Sequence, residues 1–184
     1  MTDQTKQNLE TISVTRLETR FGPAVAAAGE AGLCLLLLGE DETAALAELR
    51  RSRPGAAFEA GDDERTAKLA LAALEGLPVE TDPRGTAFQL AVWEALRAIP
   101  AGATASYADV ARTVGRPKAV RAVAAACAAN RIAVAIPCHR VVRSDGGLSG
   151  YRWGAGLKKA ILASESLQQR DTEDTCRIHV PALS

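Results

Sequence analysis

Polar and apolar positions alternate at the start of the chain and then run together. Thr11-Ile12-Ser13-Val14-Thr15 alternates β-branched with other residues, Gly29 to Gly32 marks a turn, and Leu33–Leu38 is an unbroken apolar run. Residues 11–39 therefore read as strands. The period then changes. A helix is predicted over about Glu42–Arg51, opened by acidic and closed by basic residues as the helix dipole favours. A second, over about Asp63–Leu74, stops at Gly76 and Pro78. Gly85-Thr86 opens a further helix, in which Phe88, Ala91, Val92, Ala95, Leu96 and Ile99 share one face until Pro100 ends it. Ser106 is a fair N-cap for a short helix near Tyr107–Thr113. Gly115 and Pro117 make a tight turn, and Ala119–Ala129 is almost all Ala and Val around Arg121. Helix, glycine turn, helix is a helix-turn-helix pattern, although many helical bundles share that shape.

An apolar segment, Ile132–Ile136, then delivers Pro137-Cys138-His139-Arg140-Val141-Val142. A glycine-rich loop follows, and Lys158–Glu165 reads as a last helix. The expected organisation is α+β: a small α/β lobe over 1–83, a mainly helical lobe over 84–166, and a polar, mobile tail over 167–184 in which Cys176 and His179 are bystanders.

Charge sharpens this division. The chain is neutral overall, but residues 1–83 have 8 Lys+Arg against 15 Asp+Glu, and residues 84–165 have 12 against 4. A basic module tied to an acidic one fits one half that faces nucleic acid, or two lobes that attract each other. No apolar run approaches the eighteen residues of a membrane span, and the polar N-terminus lacks a signal core, so a cytoplasmic protein is expected. Four cysteines at 34, 127, 138 and 176 show no Cys-x-x-Cys spacing, and only two histidines exist. Reduced thiols are expected, and no metal site.

The motif around Cys138 resembles the active-site motif of the O6-alkylguanine-DNA alkyltransferases. The resemblance extends through Gly85-Thr86-Ala87-Phe88, Val92-Trp93, Ser106-Tyr107, Pro117-Lys118-Ala119-Val120-Arg121-Ala122-Val123, Asn130 and Ser149-Gly150-Tyr151-Arg152-Trp153-Gly154, in the family's order and spacing. It spans roughly residues 84–166, with residues 8–83 resembling the family's weaker N-terminal lobe, which is RNase H-like. The likeness is strongest to the repairing half of two-part bacterial members. Their four-cysteine zinc part has no counterpart here, so the resemblance implies repair and not transcriptional regulation.

The resemblance implies a single-turnover reaction in which Cys138 takes the alkyl group from guanine O6, with O4-alkylthymine a second candidate substrate. Transfer is an in-line displacement at carbon, for which a thiolate is a soft, strong nucleophile. By the resemblance, His139 takes the thiol proton through a water and Glu165 orients the imidazole. Tyr107 would neutralise charge at guanine N3. Arg121 would fill the gap left by a flipped base, on a helix docked in the minor groove, where the small Ala119, Ala122, Ala125 and Ala126 allow a close approach and Lys118 also contacts DNA. Asn130 would link that helix to the Cys138 segment. The backbone of Cys138, Val141 and Arg152, with the Tyr151 ring, would form the base pocket. No cofactor is required. The expected partner is double-stranded DNA containing O6-alkylguanine, bound by a monomer. A DNA-binding damage sensor or regulator without chemistry is the alternative. A cysteine hydrolase fits less well, because its histidine normally lies far away in sequence.

Overall fold

The structure, a computed structural model, describes residues 10–148 and 150–177 and divides into two compact units. Ser149 and His179 lie outside the described residues.

The first unit comprises residues 10–85 and 131–133. β1 (Thr11–Thr19), β2 (Gly22–Gly29) and β3 (Gly32–Leu38) form an antiparallel meander. After α1 (Glu42–Ser52), β4 (Ala57–Ala60) adds to β1 in parallel, giving the sheet order β3-β2-β1-β4, and α2 (Glu64–Leu74) follows. Asp41 and Asp63 cap the two helices by accepting from Ala44 and Thr66 N–H. β3 is buried along its whole length, which explains its continuous apolar run. Its outer edge is covered. The Leu33 N–H donates to the Glu80 carbonyl at 2.9 Å, and the Leu36 N–H donates to the Arg131 carbonyl at 2.8 Å. Gly32, at φ +120°, permits the first contact, because a Cβ there would sit 2.4 Å from the Glu80 oxygen. Arg53, 2% exposed, is held by Glu10 and Asp82.

The second unit comprises residues 86–130 and 134–177. Its helices are α3 (Ala87–Arg97), α4 (Tyr107–Thr113), α5 (Val120–Ala128) and α6 (Ala155–Arg177). Thr86 and Ser106 open α3 and α4 with full capping boxes, completed by Gln89 and Asp109. α3 packs on α4 and α5 through Val92, Trp93 and Leu96, and the Trp93 indole donates to the Ala126 carbonyl at 2.9 Å. A two-residue parallel pair joins β5 (Ala105–Ser106) to β6 (Val141–Val142). Among the described residues no helix is long and apolar enough to cross a membrane.

The helices of the first unit fall within a residue of those the periodicity predicts. Two elements were not predicted. β4 is mostly exposed and shows no alternation, and residues 131–133 pair with β3 only through contacts distant in sequence. The last helix also does not stop at Glu165. It continues to Arg177, because neither glycine nor proline interrupts residues 157–180. Residues 178–184 of the expected tail lie outside the described residues.

Candidate active site

The β5–β6 pairing organises this end of the second unit. It sets Ala105 beside Val141 and Ser106 beside Val142. Tyr107, the first residue of α4, therefore starts close to the chain that leaves Cys138. Cys138 opens a single 3-10 turn, Cys138–Arg140, and is 3% exposed. The approach to it is tightly specified. Asn130, fully buried just beyond α5, donates through Nδ2 to the Ile136 carbonyl at 2.8 Å and to Cys138 Sγ at 3.2 Å. Between them Val134 has φ +64°, a left-handed conformation that costs a β-branched residue about 1–3 kcal/mol and persists only where its surroundings enforce it.

His139 is completely buried. Its Nε2 lies 2.7 Å from Glu165 Oε1, and Arg140 grips the same carboxylate, with Nη2 at 2.8 Å from Oε1 and Nε at 3.1 Å from Oε2. The Gly102 N–H adds a contact to Oε2 at 3.2 Å, and Arg140 Nη1 donates to the Ile99 carbonyl at 2.6 Å. Burial alone would raise the Glu165 carboxyl. Hydrogen bonds and charge from His139 and Arg140 outweigh it and bring the carboxyl down from 4.5 to about 2. An ionised Glu165 requires the proton of His139 on Nε2, which leaves Nδ1 as the acceptor nitrogen. Nδ1 is buried and has no partner among the described residues. Burial also pulls His139 below its usual range despite the opposing pull of Glu165, so the ring is neutral at pH 7. The Cys138 thiol, pushed up to about 11 by burial against the pull of Asn130 and Lys158, needs a base before it can act. A protonated thiol, a neutral imidazole with an open nitrogen and an orienting carboxylate can together generate a thiolate on demand.

The remaining predicted residues occupy two places. Tyr107 is half-buried, and burial holds its hydroxyl above the usual phenol range. A Cβ at Gly150 would stand 3.5 Å from that hydroxyl, so the loop before α6 passes close by. From this loop Tyr151 is buried, with its hydroxyl unpaired among the described residues and its ring 5.2 Å from that of Trp153, while Arg152 lies 5.7 Å from the Trp153 ring. Val141 is buried and offers its carbonyl to Lys158 Nζ at 2.6 Å. Elsewhere, Lys118, Arg121 and Ala122 lie exposed at the start of α5, and Ala119 is its N-cap residue. Arg121 makes no salt bridge with a described residue. Ala126 departs from expectation. It is 2% exposed, so the exposed stripe is Arg121, Ala122 and Ala125 of α5, with Lys118 exposed just before the helix.

Sequence reasoning missed Arg140 and Lys158 as parts of the site. Arg140 stood inside the motif, but nothing in its spacing paired it with Glu165. Lys158 had a signal in the helix period, because Lys158, Ile161 and Glu165 fall on one face of α6 and all three are buried.

The family profile described as "6-O-methylguanine DNA methyltransferase, DNA binding domain" matches residues 87–167. The crystal structure of Mycobacterium tuberculosis OGT in complex with DNA superposes with a TM-score of 0.69 at 34% identity, over 85% of this chain and 94% of that one. The methylated-DNA–protein-cysteine methyltransferase of M. tuberculosis is 46% identical over 112 residues, 61% of this chain and 67% of the relative. The chain belongs to the O6-methylguanine-DNA methyltransferase family. It is also 46% identical over 155 residues to the bifunctional transcriptional activator/DNA repair enzyme Ada of Escherichia coli, with 81% of this chain matched. That match spans 44% of Ada's length.

Proposed function

We propose that this protein repairs O6-alkylguanine in DNA by transferring the alkyl group irreversibly to Cys138, one group per chain. The observation that supports this best is buried His139, held on Glu165 with its Nδ1 unpartnered among the described residues, next in sequence to a protonated, Asn130-bonded thiol. A water between Nδ1 and Sγ would pass the proton, and Glu165 would steady the resulting imidazolium. The neutral hydroxyl of Tyr107 would donate to guanine N3 as charge develops. The carbonyls of Cys138 and Val141 would accept from the exocyclic amine. Tyr151 would lie along the alkyl group, with the Arg152 backbone facing O6.

DNA would be held by α4–turn–α5 acting as a helix-turn-helix, with the small exposed residues of α5 in the minor groove and Lys118 on the backbone. The sheet order β3-β2-β1-β4, antiparallel and then parallel, supports an RNase H-like reading of the first lobe. Residues 1–83 would then be a supporting lobe and residues 84–166 the repairing one. A cytoplasmic monomer with reduced thiols suffices for a stoichiometric acceptor.

Incubation with a duplex containing one O6-methylguanine should add a single methyl mass to the intact protein, saturating at one per chain and mapping to Cys138. Tight lesion binding with no mass gain would leave a damage sensor instead. Arg121, which pairs with no carboxylate among the described residues, is the residue to stand in for the extruded base. Arg121→Ala should slow repair in duplex DNA about 10–100-fold, the equivalent of the few kcal/mol needed to flip a base. Transfer from free O6-benzylguanine should change little. Equal losses on both substrates would remove Arg121 from that role.

A further inference from the structure

Lys158 is 0% exposed, and among the described residues its ammonium donates one hydrogen bond, to the Val141 carbonyl. Its Nζ also stands 5.9 Å from the centre of the Tyr151 ring. No described carboxylate forms an ion pair with it. Glu165, two turns further along α6, is fully engaged by His139, Arg140 and the Gly102 N–H. Lysine is almost never completely buried without an anionic partner, because desolvating an ammonium costs several kcal/mol. A carbonyl and a ring face offset that cost only in part. Burial pulls the Lys158 ammonium below its usual range, and the sulfurs of Cys138 and Cys127 act against that pull.

We propose that Lys158 is the resident counter-cation of the Cys138 thiolate, held in place by the Val141 carbonyl. The inference rests on Cys138 being the alkyl acceptor. The cation is built in for the charged form of the nucleophile, not for the resting thiol. When the thiol ionises, its proton passes to His139 and Lys158 keeps its own. The S–C bond then forms as the O6–C bond breaks, and the electron pair of that bond stays with guanine. Lys158 acts by electrostatics and by fixing the carbonyl that would meet the guanine amine, so it is a positioning residue.

The other groups facing this pair do not supply the same charge. Tyr107 from α4 and Tyr151 from the loop are both raised by burial and stay neutral, and Cys127 from α5, pushed up to about 12, stays a thiol. His139 is neutral until it takes the proton, and Arg140 is committed to Glu165. Arg152 adds a weaker attraction on the thiolate than Lys158 does, and Arg143 acts on Tyr107.

The test is the pH profile of Cys138 alkylation by iodoacetamide, followed by peptide mapping in the full chain. Lys158→Met should move the midpoint up by at least about one pH unit and slow the reaction at pH 7 about tenfold, with the same limiting rate at high pH. Lys158→Arg should recover most of the shift. Superimposable profiles for wild type and Lys158→Met would overturn the proposal. Should the methionine variant fail to fold, the wild-type protein still decides the matter by NMR of the Lys158 ε-carbon. Lys158 should stay protonated through the pH range in which Cys138 loses its proton, and a lysine that deprotonates first overturns the proposal. Iodoacetamide needs no DNA, so a negative result here leaves the alkyl-transfer reading standing. A Cys138 that titrates as described but takes no methyl from the lesion would defeat that reading alone.

Discussion

Cys138→Ser should abolish alkyl transfer from lesion DNA, a loss of at least about 10³-fold, while affinity for the duplex changes little. The substitution is nearly isosteric and keeps an acceptor for the Asn130 amide, so the turn that holds residue 138 should survive. What it removes is the soft anion. Even a buried thiol at about 11 lies within reach of a neutral imidazole assisted by a nearby cation. A serine hydroxyl does not, and its oxygen is a poor partner for displacement at an alkyl carbon. DNA contacts would come from α5 and the turn before it, whose Arg121 and Lys118 are exposed and untouched by the change. A tritiated-methyl transfer assay beside a gel shift separates the two effects. Residual single-turnover transfer by the serine variant would mean that another atom accepts the group.

Glu165→Gln should be the most damaging conservative change in the site. The carboxylate meets one guanidinium, one imidazole and one backbone N–H, and its side chain is 8% exposed. Removing its charge leaves Arg140, at 12% side-chain exposure, without a counter-ion. Breaking a buried pair in this way costs about 3–5 kcal/mol. The wild-type pH dependence follows from the same contacts. The folded carboxyl lies below its unfolded value of 4.5, so its stabilisation is complete above that pH and is lost as pH falls towards about 2. The shift corresponds to roughly 3 kcal/mol. Denaturant melts from pH 7 to pH 2 should show wild type losing that increment below pH 4.5 and Glu165→Gln showing a flatter acid limb. Transfer should also slow about 10²-fold or more, because His139 loses the partner that fixes its acceptor nitrogen. A variant that melts like wild type and transfers at the same rate would mean that Glu165 does neither job.

The sequence made some parts of this molecule legible and hid others, for physical reasons. Ser106 and Thr86 announce their helices because capping is local chemistry, complete within four residues. The all-buried strand β3 is equally plain, since burial on both faces needs an unbroken apolar run. β4 and residues 131–133 left no such trace, because their pairing is set by backbone partners distant in sequence. The site divides along the same line. Cys138, His139, Tyr107, Asn130 and Glu165 were found by motif resemblance, and the structure brings all five into one unit. The clasp of Arg140 on Glu165 and the burial of Lys158 depend on where α6 passes, which spacing alone does not give. Val134 is the sharpest case, since nothing about a valine in an apolar stretch signals a left-handed backbone.

β3 is also the segment most able to harm the cell that makes it. Gly32–Leu38 is apolar, uncharged and free of proline, the composition of a strand that recruits copies of itself into cross-β aggregates. In the sheet order it lies at an edge, where its unpaired groups would invite such recruitment. Two single bridges, Leu33 with Thr81 and Leu36 with Ile132, close that edge. Solubility during synthesis therefore depends on a residue far downstream. Until Ile132 leaves the ribosome, half of the seal on the chain's most adhesive strand is missing.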